Sequence, residues 1–253
     1  GLSSETSRER DGVLRRDFIG TTVAAIALVH HGVGNGSLGF RGIPRVAGRA
    51  VGKGDVAAVR EMTRIFSTVD QRYGGGHART ALVQYLTSDV ATYLQGRFES
   101  DRTRAKMFSA AAEVSYVIGW MAFDAGRHDT AKEFFTLALT VAAEGEDPAL
   151  AGHVLRAMAH QAVDRGQTTE AMELADGAIA GGRYQAACHR ERSLLGVIHA
   201  RALGATGQRA AAVSALLQAE ADLASVRPGD DQPGRVFFFG EASLAHQTAC
   251  TLR

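Results

Sequence analysis

Trp120-Met-Ala-Phe-Asp-Ala-Gly126-Arg-His-Asp-Thr-Ala131-Lys-Glu-Phe-Phe135-Thr-Leu-Ala138 is the stretch whose reading decides the fold. It is one helix end, a glycine turn and the start of a second helix, and the arrangement recurs. Gly126, Gly166 and Gly207 each close a first helix; Ala131, Ala171 and Ala212 follow five residues on, and Ala138, Ala178 and Ala219 twelve residues on, giving spacings of 40 and 41 residues. A glycine at such a turn permits a left-handed backbone. The small alanines let the second helix approach the first helix and the next repeat closely. A helix pair that cannot bury its apolar face alone must stack on its neighbours. The pattern therefore predicts an all-α fold, a right-handed α-solenoid of antiparallel helix pairs.

Working outward, residues 55–253 read as one helical repeat domain. Asp55 is expected to cap a helix whose apolar stripe is Val56, Val59, Met62, Ile65 and Val69. Gly74-Gly75-Gly76 breaks the chain before a second helix, roughly Ala78 to Leu94, and these two are expected to form an antiparallel pair. At the other end, Phe237-Phe238-Phe239 precedes a last helix from Glu241 to about Leu252. Three consecutive aromatics cannot share one face, so at least one closes the end of the repeat stack or meets a partner. The last helix either caps the third repeat or pairs with another chain, a homodimer being one form of this.

Residues 1–54 form a basic, glycine-rich N-terminal segment of a different kind. Leu14-Arg15-Arg16-Asp17-Phe18-Ile19-Gly20 leads into an apolar run ending at Val29, and the pattern resembles a twin-arginine export signal. Glu5, Glu9, Asp11 and Asp17 place acidic charge where such a signal is positive, and His30-His31 end the run without a small-x-small cleavage site. The preferred reading is a linker with a short apolar helix that docks on the body. Arg41, Arg45, Arg49 and Lys53 are read as a solvated basic stretch rather than a phosphate contact.

Composition narrows the function classes. With 45 % apolar residues and four prolines the 253-residue chain is not disordered, and 7 % aromatics with abundant alanine favour packed helices. The net charge of +1 exerts no strong pull on nucleic acid or membrane. No apolar run reaches the ~18–20 residues of a membrane span, so the protein is expected to be soluble and cytoplasmic. Cys188 and Cys250 have no metal-ligand spacing and are read as buried small hydrophobes. His30-His31 point apart on a helix, while His153 and His160 lie two turns apart, too far for one ion. No phosphate-loop, nucleophile-elbow or zinc-protease motif occurs. We expect no enzyme, no cofactor and no bound metal.

The Trp120–Ala138 unit resembles a tetratricopeptide repeat, with Gly119 as its early small residue, a turn glycine, the two alanines and Phe135. Its period exceeds the family's usual one, and the proline that normally ends the repeat is replaced by Ala143, with Pro148 following. More narrowly, Gly74-Gly-Gly-His77-Ala-Arg79, Gly119-Trp120-Met-Ala-Phe-Asp124-Ala-Gly126-Arg-His128 and His160-Gln161-Ala162 resemble the C-terminal half of actinobacterial helix-turn-helix (XRE-type) transcriptional regulators. In those proteins a DNA-binding head precedes an arginine-arginine apolar segment and a tetratricopeptide body. Residues 1–13 are too short for such a head, so the resemblance implies DNA binding only through a separate or missing one.

The tetratricopeptide resemblance also implies where a ligand would lie. The first helices line a concave groove, which places there Glu113, Tyr116, Trp120, Phe123 and Asp124, then His153, Arg156, His160, Val163 and Asp164, then Leu194, Val197, Arg201, Gly204 and Ala205. The charged and aromatic members, with Arg156 and Asp164 taken as exposed, are the candidate ligand-binding residues. Tyr116 and Trp120 have a plainer alternative as inter-repeat core. The lysine and asparagine set with which some chaperone cofactors clamp a peptide carboxylate is absent. The expected function is a regulatory module that binds a protein, a peptide or a small effector. A scaffold without transcriptional role and an exported binding protein are the alternatives.

Overall fold

The computed structural model describes residues 49–74 and 78–253. The apolar segment Phe18–Val29, Arg41, Arg45 and the His30-His31 pair lie outside the described residues. Among the described residues the fold is all-α apart from one two-residue strand pair. In chain order it comprises β1 (Ala50–Val51), α1 (Lys53–Tyr73), α2 (Arg79–Tyr85), a π-helical turn (Leu86–Val90), α3 (Ala91–Leu94), β2 (Arg97–Phe98), α4 (Asp101–Asp124), α5 (His128–Glu144), α6 (Pro148–Asp164), α7 (Thr168–Ile179), α8 (Arg183–Ala186), α9 (His189–Ala205), α10 (Arg209–Ala224), a 3₁₀ turn (Gly234–Val236) and α11 (Glu241–Thr251).

The glycine rule holds at all three turns. Gly126, Gly166 and Gly207 have φ of +70°, +70° and +78°, and a side chain there would meet the backbone strain of the left-handed region rather than a neighbouring atom. The residue after each glycine donates its backbone N–H back across the turn: Arg127 to Ala122, Gln167 to Ala162 and Gln208 to Leu203, at 2.8, 2.9 and 2.9 Å. The same residue then begins the next helix, which makes the connection short and the two helices antiparallel. Ala131, Ala138, Ala171, Ala178, Ala212 and Ala219 are all buried. Gly119 has a packing reason of its own, since a Cβ there would lie 2.7 Å from the Phe135 ring. Helices α4 and α5, α6 and α7, and α9 and α10 are thereby close-packed pairs, and α6 and α9 join each pair to the next.

Pro148 starts α6 rather than ending α5. Its missing N–H costs nothing at a first helical position, and Asp147 caps the helix by accepting from Leu150 N at 2.9 Å. Between α7 and α9 the chain inserts the single turn α8 after two left-handed glycines, Gly181 and Gly182.

The N-terminal part departs from the sequence reading. Helix α1 begins at Lys53 with Gly52 as its cap, and Asp55 sits in its first turn, where it accepts from Gly52 N at 2.9 Å. Val56 and Val59 are buried as expected, but Ile65 is 44 % exposed and the inward positions are instead Thr63, Phe66 and Asp70. Helix α1 and the Arg79–Leu94 segment do not pair with each other along their lengths; both lie against α4. The cause is the parallel pairing of β1 with β2, with Arg97 N donating to Arg49 O at 2.8 Å and Glu99 N to Val51 O at 3.1 Å. Parallel strands entering α1 and α4 set those two helices side by side and co-directional. The packed body therefore includes residues 49–54, with Val51 fully buried. Arg49 is exposed, as a solvated residue should be, but it is tethered to the body, pairing with Asp55 at 3.1 Å and lying 4.4 Å over the Tyr93 ring. Cys188 and Cys250 are half-buried rather than buried.

At the other end, α11 packs on α9 and α10, so within this chain it caps the third pair. Phe239 is buried with Val236 and Leu244, while Phe237 and Phe238 are 50 % and 36 % exposed.

Candidate functional site

The side-by-side placement of α1 and α4 leaves a cavity of about 1010 Å³ between them and the segment Asp231–Phe238 that crosses from α10 toward α11. Its walls are mixed: Val56, Ala57 and Val117 are apolar, Thr63, Ser67 and Gln71 are polar, and Phe237 and Phe238 stand at one side. That volume is at the upper end of what small-ligand sites use, and a few placed charges in an apolar setting are what such sites need for orientation.

The ten residues picked from the repeat register are brought together, though largely to one another. Glu113, Tyr116 and Trp120 line the cavity. Arg235, carried by the crossing segment, reaches Glu113 at 3.3 Å and forks onto Glu191 at 2.7 and 3.0 Å. Glu191 Oε1 lies 3.0 Å from His153 Nδ1. Arg156 Nη2 donates to Tyr116 Oη at 2.8 Å and lies 3.2 Å from His153 Nε2. Since a guanidinium only donates, His153 Nε2 must accept and Nδ1 carries the proton facing Glu191. His153 is thus neutral, its burial first and Arg156 second holding it down to about 4. Burial alone would raise the Glu191 carboxyl, but Arg235 and His153 outweigh it and hold it well below the usual range.

The seam continues through aromatic rings. The Arg156 guanidinium carbon is 5.4 Å from the Trp120 ring, which meets Phe123 and His160 edge-on at 5.4 and 5.7 Å. His160 Nε2 is 3.3 Å from Asp164, and Arg201 bonds Asp164 at 2.8 Å and Gln247 of α11 at 3.1 Å. Asp124 is exposed at the end of α4.

Two expectations need correction. His153 and Arg156 are 0 % and 2 % exposed, so they brace the cavity floor from behind and are not exposed ligand contacts. Tyr116, at 6 %, is core between α4, α5 and α6, as its packing on Phe135 and His153 shows, whereas Trp120 is only half-buried. The third unit offers no open groove either: Leu194 and Val197 are buried, and Gly204 lies under Thr251 of α11. Glu191, Arg235 and Gln247, which complete the seam, were missed because none falls on a repeat position. A lone arginine in the Pro/Gly-containing segment beside three phenylalanines was the available hint.

Among the described residues no group of His, Cys, Asp and Glu side chains is placed to hold a metal ion, and no helix is long and apolar enough to cross a membrane. No family model, no curated protein and no solved structure matches the chain.

Proposed function

We propose that this chain is a regulatory binding module, the ligand-sensing part of a helix-turn-helix transcriptional regulator, built as a right-handed tetratricopeptide-like solenoid. Its ligand, a short peptide or small effector, occupies the cavity between α1, α4 and the Asp231–Phe238 segment. One observation carries the binding reading: about 1010 Å³ of space is walled by helices whose buried charges are braced by Arg156, His153 and Arg235. Such bracing holds wall groups in place before a ligand arrives, which lowers the ordering cost of binding. The transcriptional half of the reading is supported only by the resemblance, which covers most of residues 14–253, from the arginine-arginine apolar segment at Arg15–Val29 to the helical body. The module acts without catalysis, in the cytoplasm, and reaches DNA only through a separate helix-turn-helix head.

Trp120, the single tryptophan, lines the cavity and reports on it. A pool of short peptides and polar metabolites should contain members that shift its emission. Ala57→Phe, which fills the cavity from an exposed position on α1, should abolish the shift while leaving the melt within about 1 kcal/mol. An emission change equal in parent and variant would place binding elsewhere. A reading frame without any DNA-binding head upstream would replace the regulator by a scaffold.

A further inference from the structure

Among the described residues, one carboxylate in the cavity wall has an oxygen without a partner. Asp70, near the end of α1, is 6 % exposed, lines the cavity, and its Oδ1 makes no hydrogen bond. Beyond its burial, the charge acting on it comes from Asp124, an exposed carboxylate at the matching end of α4. The rest of the cavity's buried charge is treated differently. Glu113 and Glu191 share Arg235, and Asp147 accepts from Ser109 at 2.7 Å. Burying a carboxylate beside another, with no donor, is costly. Folds retain such a cost where a ligand relieves it.

We propose that Asp70 is the subsite for a cationic group of the ligand, the guanidinium or ammonium of an arginine or lysine side chain in a bound peptide. The exposed Asp124, outside the cavity wall, adds to the negative field at that end. This rests on the reading of the cavity as a binding site. A guanidinium or ammonium supplies both the missing donor and the missing charge in one contact. An inorganic cation fits less well, because among the described residues no third His, Cys, Asp or Glu is grouped with these carboxylates, which fall short of the six to eight oxygens calcium gathers. From Asp70 the cavity follows α1 back to Arg60 and Lys53. The ten helical steps from Asp70 back to Arg60 span about 15 Å, the reach of roughly four to five extended peptide residues. The peptide backbone would therefore run along α1 with its cationic side chain at the Asp70 end.

The test uses the whole chain, Trp120 emission, and N-acetylated, C-amidated tripeptides with arginine, lysine, glutamine or glutamate at the centre, with magnesium chloride as a separate probe. The arginine or lysine peptide should act at a concentration at least about tenfold below the glutamine peptide, a difference near 1.4 kcal/mol. Asp70→Asn should erase that preference and raise the melting temperature, the opposite of what loss of a structural contact would do. Asp124→Asn, at an exposed position, should weaken the preference without unfolding risk. If glutamine and glutamate peptides bind as well as the cationic ones and Ala57→Phe blocks them all, the cavity is a binding site and the cation subsite is wrong. A preference that survives Asp70→Asn also overturns the subsite. If magnesium alone shifts the emission and displaces the peptides, the pair of carboxylates is a metal site instead. Silence from every probe up to about 10 mM removes the cavity reading together with the subsite.

Discussion

Arg156 leaves α6 pointing inward and meets buried Tyr116 and His153 and the half-buried Trp120 ring. Removing its side chain would leave a void and strand the hydroxyl of Tyr116 and Nε2 of His153 without their donor. Arg156→Ala should therefore cost about 3 kcal/mol, read as a shift of the denaturant midpoint; a change within about 0.5 kcal/mol would mean the seam is not formed in solution. Gly126 is the second residue whose chemistry is forced. At φ +70° with nothing near its Cβ position, it needs its backbone freedom and no space. Gly126→Val should destabilise by roughly 1–3 kcal/mol, with Gly126→Asn much milder because asparagine tolerates the left-handed region. Equal melts for the two would show that the turn relaxes.

Among the elements, the smallest has the widest effect. Two residues of β1 pair with two of β2, and this decides that α1 lies along α4 and so that a cavity exists between them. Removing residues 1–54 takes away β1, fully buried Val51, the Gly52 cap and the first residues of α1. Removing residues 1–48 spares all of these. The longer deletion should melt several degrees lower and lose the Trp120 emission response to ligand. Identical melts would mean that the strand pair contributes nothing to the seating of α1. Helix α11 has the complementary role at the far end, where Leu244 and Gln247 cover α9 and leave the groove closed there.

For the whole molecule, two buried groups pull stability in opposite directions with pH. His153 is held down to about 4, so the stability it contributes is present above about pH 6.5 and is lost as pH falls through 4. Asp70 is pushed up to about 6, by burial first and Asp124 second. Its contribution is present below about pH 4 and is lost as pH rises through 6. Asparagine does not titrate. Asp70→Asn should match the parent near pH 4 and exceed its stability above pH 7 by up to about 3 kcal/mol, two units at about 1.4 each. Denaturant melts of both proteins from pH 4 to pH 8 measure this gap, and curves that stay parallel would mean Asp70 is not buried as a carboxyl. The Asp70→Asn variant, which keeps His153 but lacks the opposing carboxyl, should lose stability between about pH 6.5 and pH 4, whereas in the parent the two effects largely offset each other.

What the sequence determined by itself is local. Turn glycines, small alanines and the Phe135 spacing are forced by backbone sterics and by how closely two adjacent helices approach, so helix pairs from Asp101 to Ala224 were legible at their true register. The positions facing the seam were legible too, because a repeat fixes which side of each first helix looks inward. Their exposure was not. Whether Arg156 meets solvent or Tyr116 depends on how deeply the next pair stacks, and that is set by contacts 40 residues away. The tertiary structure alone decided the rest. Arg235 reaches Glu113 across 122 residues, α1 is placed by a strand pair too short to leave any period, and Asp70 is stranded only because α1 and α4 run side by side. Nothing in a local window carries these, since each arises from surfaces that meet only after the chain has folded.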